Sequence, residues 1–115
     1  VNIKTPGLLP LTTTVKLLAF HGDVRETNTL ERLRGLAKTG MIEEDLAEEA
    51  EQAFETFLTL KIRNNLNSLD EGRDFSNNIN PSVLTAKQKQ LLKEAFLAVS
   101  RLQKATKDRL KVAGY

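Results

Sequence analysis

The chain's 115 residues are enough for one domain and leave no room for a second. Hydrophobic residues at 40% and charged residues at 28% describe an ordinary globular composition, and a net charge of +2, from 17 basic against 15 acidic residues, gives little overall pull toward a phosphate polymer. The absence of Cys excludes thiol catalysis, disulfides and thiolate metal sites, and the absence of a long apolar run or a signal-peptide core makes neither a membrane span nor export expected, so a cytoplasmic location is predicted.

Val1-Asn2-Ile3-Lys4 alternates apolar and polar before Pro6-Gly7, as a strand stub or an entering linker would. The first helix is predicted from about Pro10, whose fixed φ suits the first helical position, to Gly22, with Leu11, Val15, Leu18 and Ala19 inward. Its opening turn, Thr12 to Val15, is β-branched throughout and must be held by packing. The second helix starts at Thr27-Asn28-Thr29, where Asn28 and Glu31 have capping spacing, and stops at Gly40, burying Leu30, Leu33, Leu36 and Ala37. Gly35 inside it costs ~1 kcal/mol relative to Ala if exposed, unless it marks a close helix contact.

Glu43, Glu44 and Asp45 suit the first turn of a long third helix that runs to about Gly72. Its apolar stripe comprises Leu46, Ala50, Ala53, Phe54, Phe57, Leu58, Ile62, Leu66 and Leu69, and its length of roughly 40 Å implies a bend or a protruding end. The Asn-rich connection Arg73–Leu84 carries Phe75, Ile79, Val83 and Leu84 to pin it to the core. A fourth long helix opens with Thr85 and Gln88 in capping-box spacing, turns Leu91, Leu92, Ala95, Phe96, Val99, Leu102 and Ala105 inward, and ends at Gly114. The fold class is therefore all-α: a four- to five-helix bundle built on a long antiparallel helical hairpin. With the hairpin turn centred near Asn78, Arg63 is expected opposite Lys93 and Glu94, and Lys93, Leu97 and Arg101 follow one another at spacings of four.

Chemistry is scarce in this chain. His21, the sole His, precedes Gly22 at a helix end, where a partly charged imidazole is favourable without being a ligand or base. Seven acids and no Lys or Arg lie between Met41 and Leu60, spread over several turns as a solvated face, with no calcium-loop pattern. Arg101 to Lys111 carries five basic residues and one acid. No phosphate-cradling glycine loop occurs, nor the Gly-Ser and paired Asp of a nucleotidyltransferase palm, so the chain alone is predicted inert and without metal or cofactor. Phe54 and Phe57 have helical spacing and read as core in preference to a base-stacking platform. Several cations border apolar stripes, where Arg holds an anion or a facing carboxylate. Structural pairing of Arg25 or Arg32 with Glu26 or Glu31, and of Arg63 or Arg101 with Glu94, is the plainer reading.

Taken together, Gly7-Leu8-Leu9-Pro10, Val24 to Leu33 (VRETNTLERL), Ala53-Phe54-Glu55, Leu58 to Arg63 (LTLKIR), Asn78-Ile79-Asn80-Pro81, Leu91 to Phe96 (LLKEAF) and Arg101-Leu102-Gln103 give the chain its likeness to a known family. It resembles the putative nucleotidyltransferase substrate-binding domain, which follows a catalytic domain in bacterial signalling proteins. The resemblance implies a helical bundle packed against an upstream nucleotidyltransferase domain of the same chain, in parents that resemble cyclic-nucleotide-binding or CBS-domain sensors, with a catalytic domain similar to the uridylyltransferase acting on the PII signalling protein. It implies Mg in that catalytic domain. Helical bundles of the HEPN type cleave RNA with an Arg followed a few residues later by His, whereas Arg63 is followed by Asn64, Asn65, Leu66, Asn67 and Ser68, which argues against RNA cleavage here.

The leading expectation is a non-catalytic substrate-binding module in which Arg25, Arg32, Arg63, Lys93 and Arg101 complete a cleft facing the catalytic domain and hold a nucleotide or protein substrate. Nucleic acid and membrane are not expected partners. The competing expectation is a structural module that relays a sensor's state or makes the parent a homodimer.

Overall fold

The computed structural model describes residues 1–115 and contains four α-helices: α1 (Leu9–His21), α2 (Thr29–Lys38), α3 (Glu44–Glu71) and α4 (Ala86–Val112). A wide turn of π type, Lys4–Leu8, leads into α1, and a 3₁₀ turn, Pro81–Val83, precedes α4. The all-α hairpin architecture is as expected. Val1–Lys4 makes no strand beyond one antiparallel bridge, Asn2 to Asn78. The Asn2 side chain instead accepts from the amides of Lys4 and Thr5, starting the wide turn, and Leu8 N–H closes it on Ile3 C=O at 2.8 Å.

Side-chain caps start two of the helices. Asn28 Oδ1 accepts from Glu31 N–H at 2.9 Å to start α2, and α4 opens with a complete capping box, Thr85 Oγ1 accepting from Gln88 N–H while Gln88 Oε1 accepts from Thr85 N–H. Thr85→Ala removes one half of that box and should cost about 1 kcal/mol in denaturant unfolding, with α4 helicity retained. All four helices end in the same way, with a backbone bond spanning five residues back: Val24 to Ala19, Met41 to Leu36, Arg73 to Ser68 and Tyr115 to Leu110. This motif needs a left-handed residue, which Gly72 supplies for α3 at φ 68°. The first helix ends at Gly22 as expected, but the left-handed residue there is Asp23 at φ 56°, with Gly22 at an ordinary φ of −89°. His21, in the last turn of α1, meets the Tyr115 ring edge-on at 5.4 Å, so the two chain regions share one end of the bundle.

Helices α3 and α4 pack through small buried side chains, Ala50 and Ala53 on one and Ala95 and Ala98 on the other, which let the backbones approach closely. Phe57 is fully buried between Gly7 and Phe96, whose ring centroid lies 5.2 Å away. Helices α1 and α2 close the other side with Leu11, Val15, Leu18, Leu33 and Leu36. Arg34 Nη2 donates to Glu51 at 2.7 Å and ties α2 to α3 on the exposed surface. That hydrogen bond, with the charge of Glu51 behind it, holds the Arg34 guanidinium above its already high pKa, so no pH dependence arises in the working range.

The hairpin register differs from the expected one. The Arg101–Glu49 ion pair, at 3.0 Å, sets Glu49 level with Arg101, and Thr56 shares a groove with Leu91 and Glu94. Extended along both helices, this register places Arg63 level with Lys87, about 9 Å along the axis from Lys93. The cause is an asymmetric connection: α3 overshoots the start of α4 by about two turns. Ile62, Leu66 and Leu69, expected in the core, lie on the side of α3 turned away from the core line of Ala53 and Phe57 and are 57%, 55% and 62% exposed. Ser68 is the one buried residue of that last stretch, its Oγ donating to Asn64 C=O. In the connection, Ile79 is buried beside Ile3 and Leu84 is half-buried, whereas Phe75 and Val83 stand in solvent instead of pinning the loop. On α4, Ala98 takes the inward place predicted for Leu91, which is exposed at the groove edge.

Candidate functional site

The five predicted cations lie in different surroundings. Arg25, in the α1–α2 loop, is exposed and pairs with Asp23 at 3.3 Å, two residues away. Arg32, on α2, is half-buried, and its Nε donates to Glu26 C=O at 2.9 Å. Arg63, on α3, is exposed and forms no ion pair within the chain. Lys93 borders a hollow formed by Val1, Pro81, Leu84, Lys89, Leu92 and Phe96. Arg101 lines the α3–α4 groove and is engaged by Glu49. The common patch expected of Arg63, Lys93 and Arg101 is thus not a single concavity, since the shifted register separates Arg63 from Lys93 and turns Arg101 into the groove between the helices.

That groove, about 360 Å³, is unsuited to an anion. Glu49 and Glu94 stand on its walls, its one cation is already neutralised by Glu49, and the adjoining hollow adds Glu55. Glu94 itself accepts from Gln90, not from Arg63 or Arg101. A phosphate entering here meets like charge with no free guanidinium to offset it.

The opposite polarity is found where α1, the start of α2 and α3 meet. A concavity of about 540 Å³ is lined by Thr12 and Lys16 of α1, Thr27 and Asn28 of the loop, Thr29, Leu30 and Arg32 of α2, and Phe54 of α3. None of these is a carboxylate. Lys16 stands one turn beyond Thr12 on α1, so both reach the same mouth. Arg32 is steadied by its Nε bond to Glu26 C=O, which leaves the two terminal guanidinium nitrogens free for a ligand. Asn28 satisfies the amide of Glu31, while the Thr29 and Leu30 amides have no acceptor in the chain. These donors and the positive end of the α2 dipole add to the two cations. Phe54 is half-buried and presents an apolar surface within the same hollow, whereas Phe57, three residues on, lies wholly in the core. Of the five predicted residues, only Arg32 belongs to this site. Lys16 and the threonines were missed, and the available signal was the i, i+4 spacing of Thr12 and Lys16.

No three His, Asp or Glu side chains converge anywhere in the chain. No helix is long and apolar enough to cross a membrane.

No curated protein and no solved structure matches the chain. A family model does, over residues 1–110, and its span takes in every residue that lines this concavity. By that match the chain belongs to the family described as putative nucleotidyltransferase substrate binding domain.

Proposed function

We propose that the domain seats the phosphate-bearing nucleotide substrate of a nucleotidyltransferase in the hollow between α1, α2 and α3. In this reading Lys16, Arg32 and the free amides of Thr29 and Leu30 receive phosphate oxygens, and Phe54 offers an apolar face to the sugar or base. The observation that carries it is the pairing of two available cations with an open helix N-terminus in a concavity that has no carboxylate on its walls. The chain's own part is to bind and orient. The divalent ion that nucleotidyl transfer uses is assigned in this reading, with the reacting groups, to a catalytic domain of the same protein. A cytoplasmic signalling protein remains the context in which we place that pair of domains.

Calorimetric titration of the domain with inorganic triphosphate and with nucleoside triphosphates tests the reading. Binding is expected to weaken with added salt, to be tighter for the nucleotide than for bare triphosphate, and to fall about tenfold in Arg32→Ala, the loss of one charge-assisted contact. Arg101→Ala should leave it unchanged. An equal loss in Arg101→Ala, or no heat at millimolar ligand, would overturn the proposal.

A further inference from the structure

The C-terminal third of α3 presents Ile62, Leu66 and Leu69 at spacings of four and three, all more than half exposed, on the side of the helix opposite Ala53 and Phe57. Scattered apolar side chains on a surface are ordinary, but a contiguous stripe on one helix face is an unmet packing surface. Its flank carries a specific charge pattern. Arg63 and Asp70 lie seven residues apart on the same edge of the stripe, and neither forms an ion pair within the chain.

We infer that this stripe is a self-association seam, occupied by the same stripe of a second copy running antiparallel. A two-fold axis through Leu66 brings Ile62 of each copy toward Leu69 of the other and packs the two Leu66 side chains together. The same operation places Arg63 of each copy beside Asp70 of the other, so two opposite-charge contacts form at once. A parallel copy would instead bring Arg63 beside Lys61 of its neighbour, like charge against like. The three side chains offer on the order of 300 Å² per copy, well short of the ~800 Å² of a standard stable interface. The association is therefore weak and concentration-dependent, with a dissociation constant on the order of 100 μM. This inference is independent of the proposed nucleotide hollow, which involves none of these residues.

Sedimentation equilibrium of the 115-residue chain from about 10 μM to 1 mM decides it. The wild type should shift from monomer toward dimer across that range, and Leu66→Glu should raise the dissociation constant at least tenfold with helicity by circular dichroism unchanged. Arg63→Asp and Asp70→Arg should each weaken the dimer severalfold, and the two changes together should restore it to within about threefold of wild type by re-forming both contacts with reversed sign. A monomer throughout, or a dimer indifferent to Leu66→Glu, overturns the inference; so does a double variant no tighter than either single one.

Discussion

Phe57→Ala is expected to lower the stability of the domain by about 3–5 kcal/mol, the cost of removing a buried aromatic ring from a site that cannot collapse around the void. For a protein of this size that is roughly 10–20 °C in Tm and a large share of the whole stability. The size follows from position. Phe57 is fully buried where α3, α4 and the entry turn meet, against Phe96 on one side and the backbone of Gly7 on the other. The same contact fixes the identity of residue 7. A Cβ on Gly7 would sit 2.8 and 2.9 Å from two Phe57 ring carbons, and a ring packed on all sides has nowhere to retreat. Gly7→Ala should therefore cost about 1–3 kcal/mol by overpacking. In the Phe57→Leu background the clash is relieved, so the two changes together should cost less than their sum. Urea denaturation of the two single variants and the double variant measures this, and additive losses would refute the contact.

The second large effect concerns binding. Lys16→Glu combined with Arg32→Glu should reduce nucleotide affinity by about a hundredfold or more, because two attractive charges become repulsive ones at the mouth of a hollow that has no others. Stability should change little, since Lys16 is exposed, Arg32 is half-buried and a carboxylate in the first turns of α2 favours the helix dipole. Calorimetry and a thermal melt on the same sample separate these outcomes. Retained binding with a normal melt would remove these two residues from the site.

The helices were legible because each carries local chemistry at its start: Pro10 in the first turn of α1, Asn28 and Thr85 as caps of α2 and α4, and Glu44 and Asp45 in the first turn of α3. The register of the hairpin was not, because it depends on how asymmetrically residues 72–85 cross from one helix to the other, and no local preference encodes that. The sequence did contain a hint. The core line of α3, Ala50, Ala53, Phe57 and Leu60, continues in phase to Asn64 and Ser68, while Ile62, Leu66 and Leu69 follow a different phase that points into solvent. Reading any apolar residue on a long helix as core merged two stripes into one.

The candidate site was legible in part for a related reason. Arg32 stands in a family-like segment beside its own helix start, and both can be read from the chain. Lys16 carries no motif and acquires a role only because α1 packs alongside α2, which brings it to the end capped by Asn28. Lys93 and Arg101 were grouped by helical spacing, and Arg63 was joined to them by a hairpin register centred near Asn78. Spacing within one helix fixes a face, but the facing carboxylates, Glu49 above all, come from the neighbouring helix and depend on register.

Amide NMR of the ¹⁵N-labelled domain during a nucleoside triphosphate titration bears most directly on the central claim. The account predicts that the largest shifts fall on Thr29 and Leu30, with smaller ones at Lys16, Arg32 and Phe54, and that Glu49, Glu94 and Arg101 stay still. Shifts centred on the α3–α4 groove, or none at millimolar nucleotide, would contradict it.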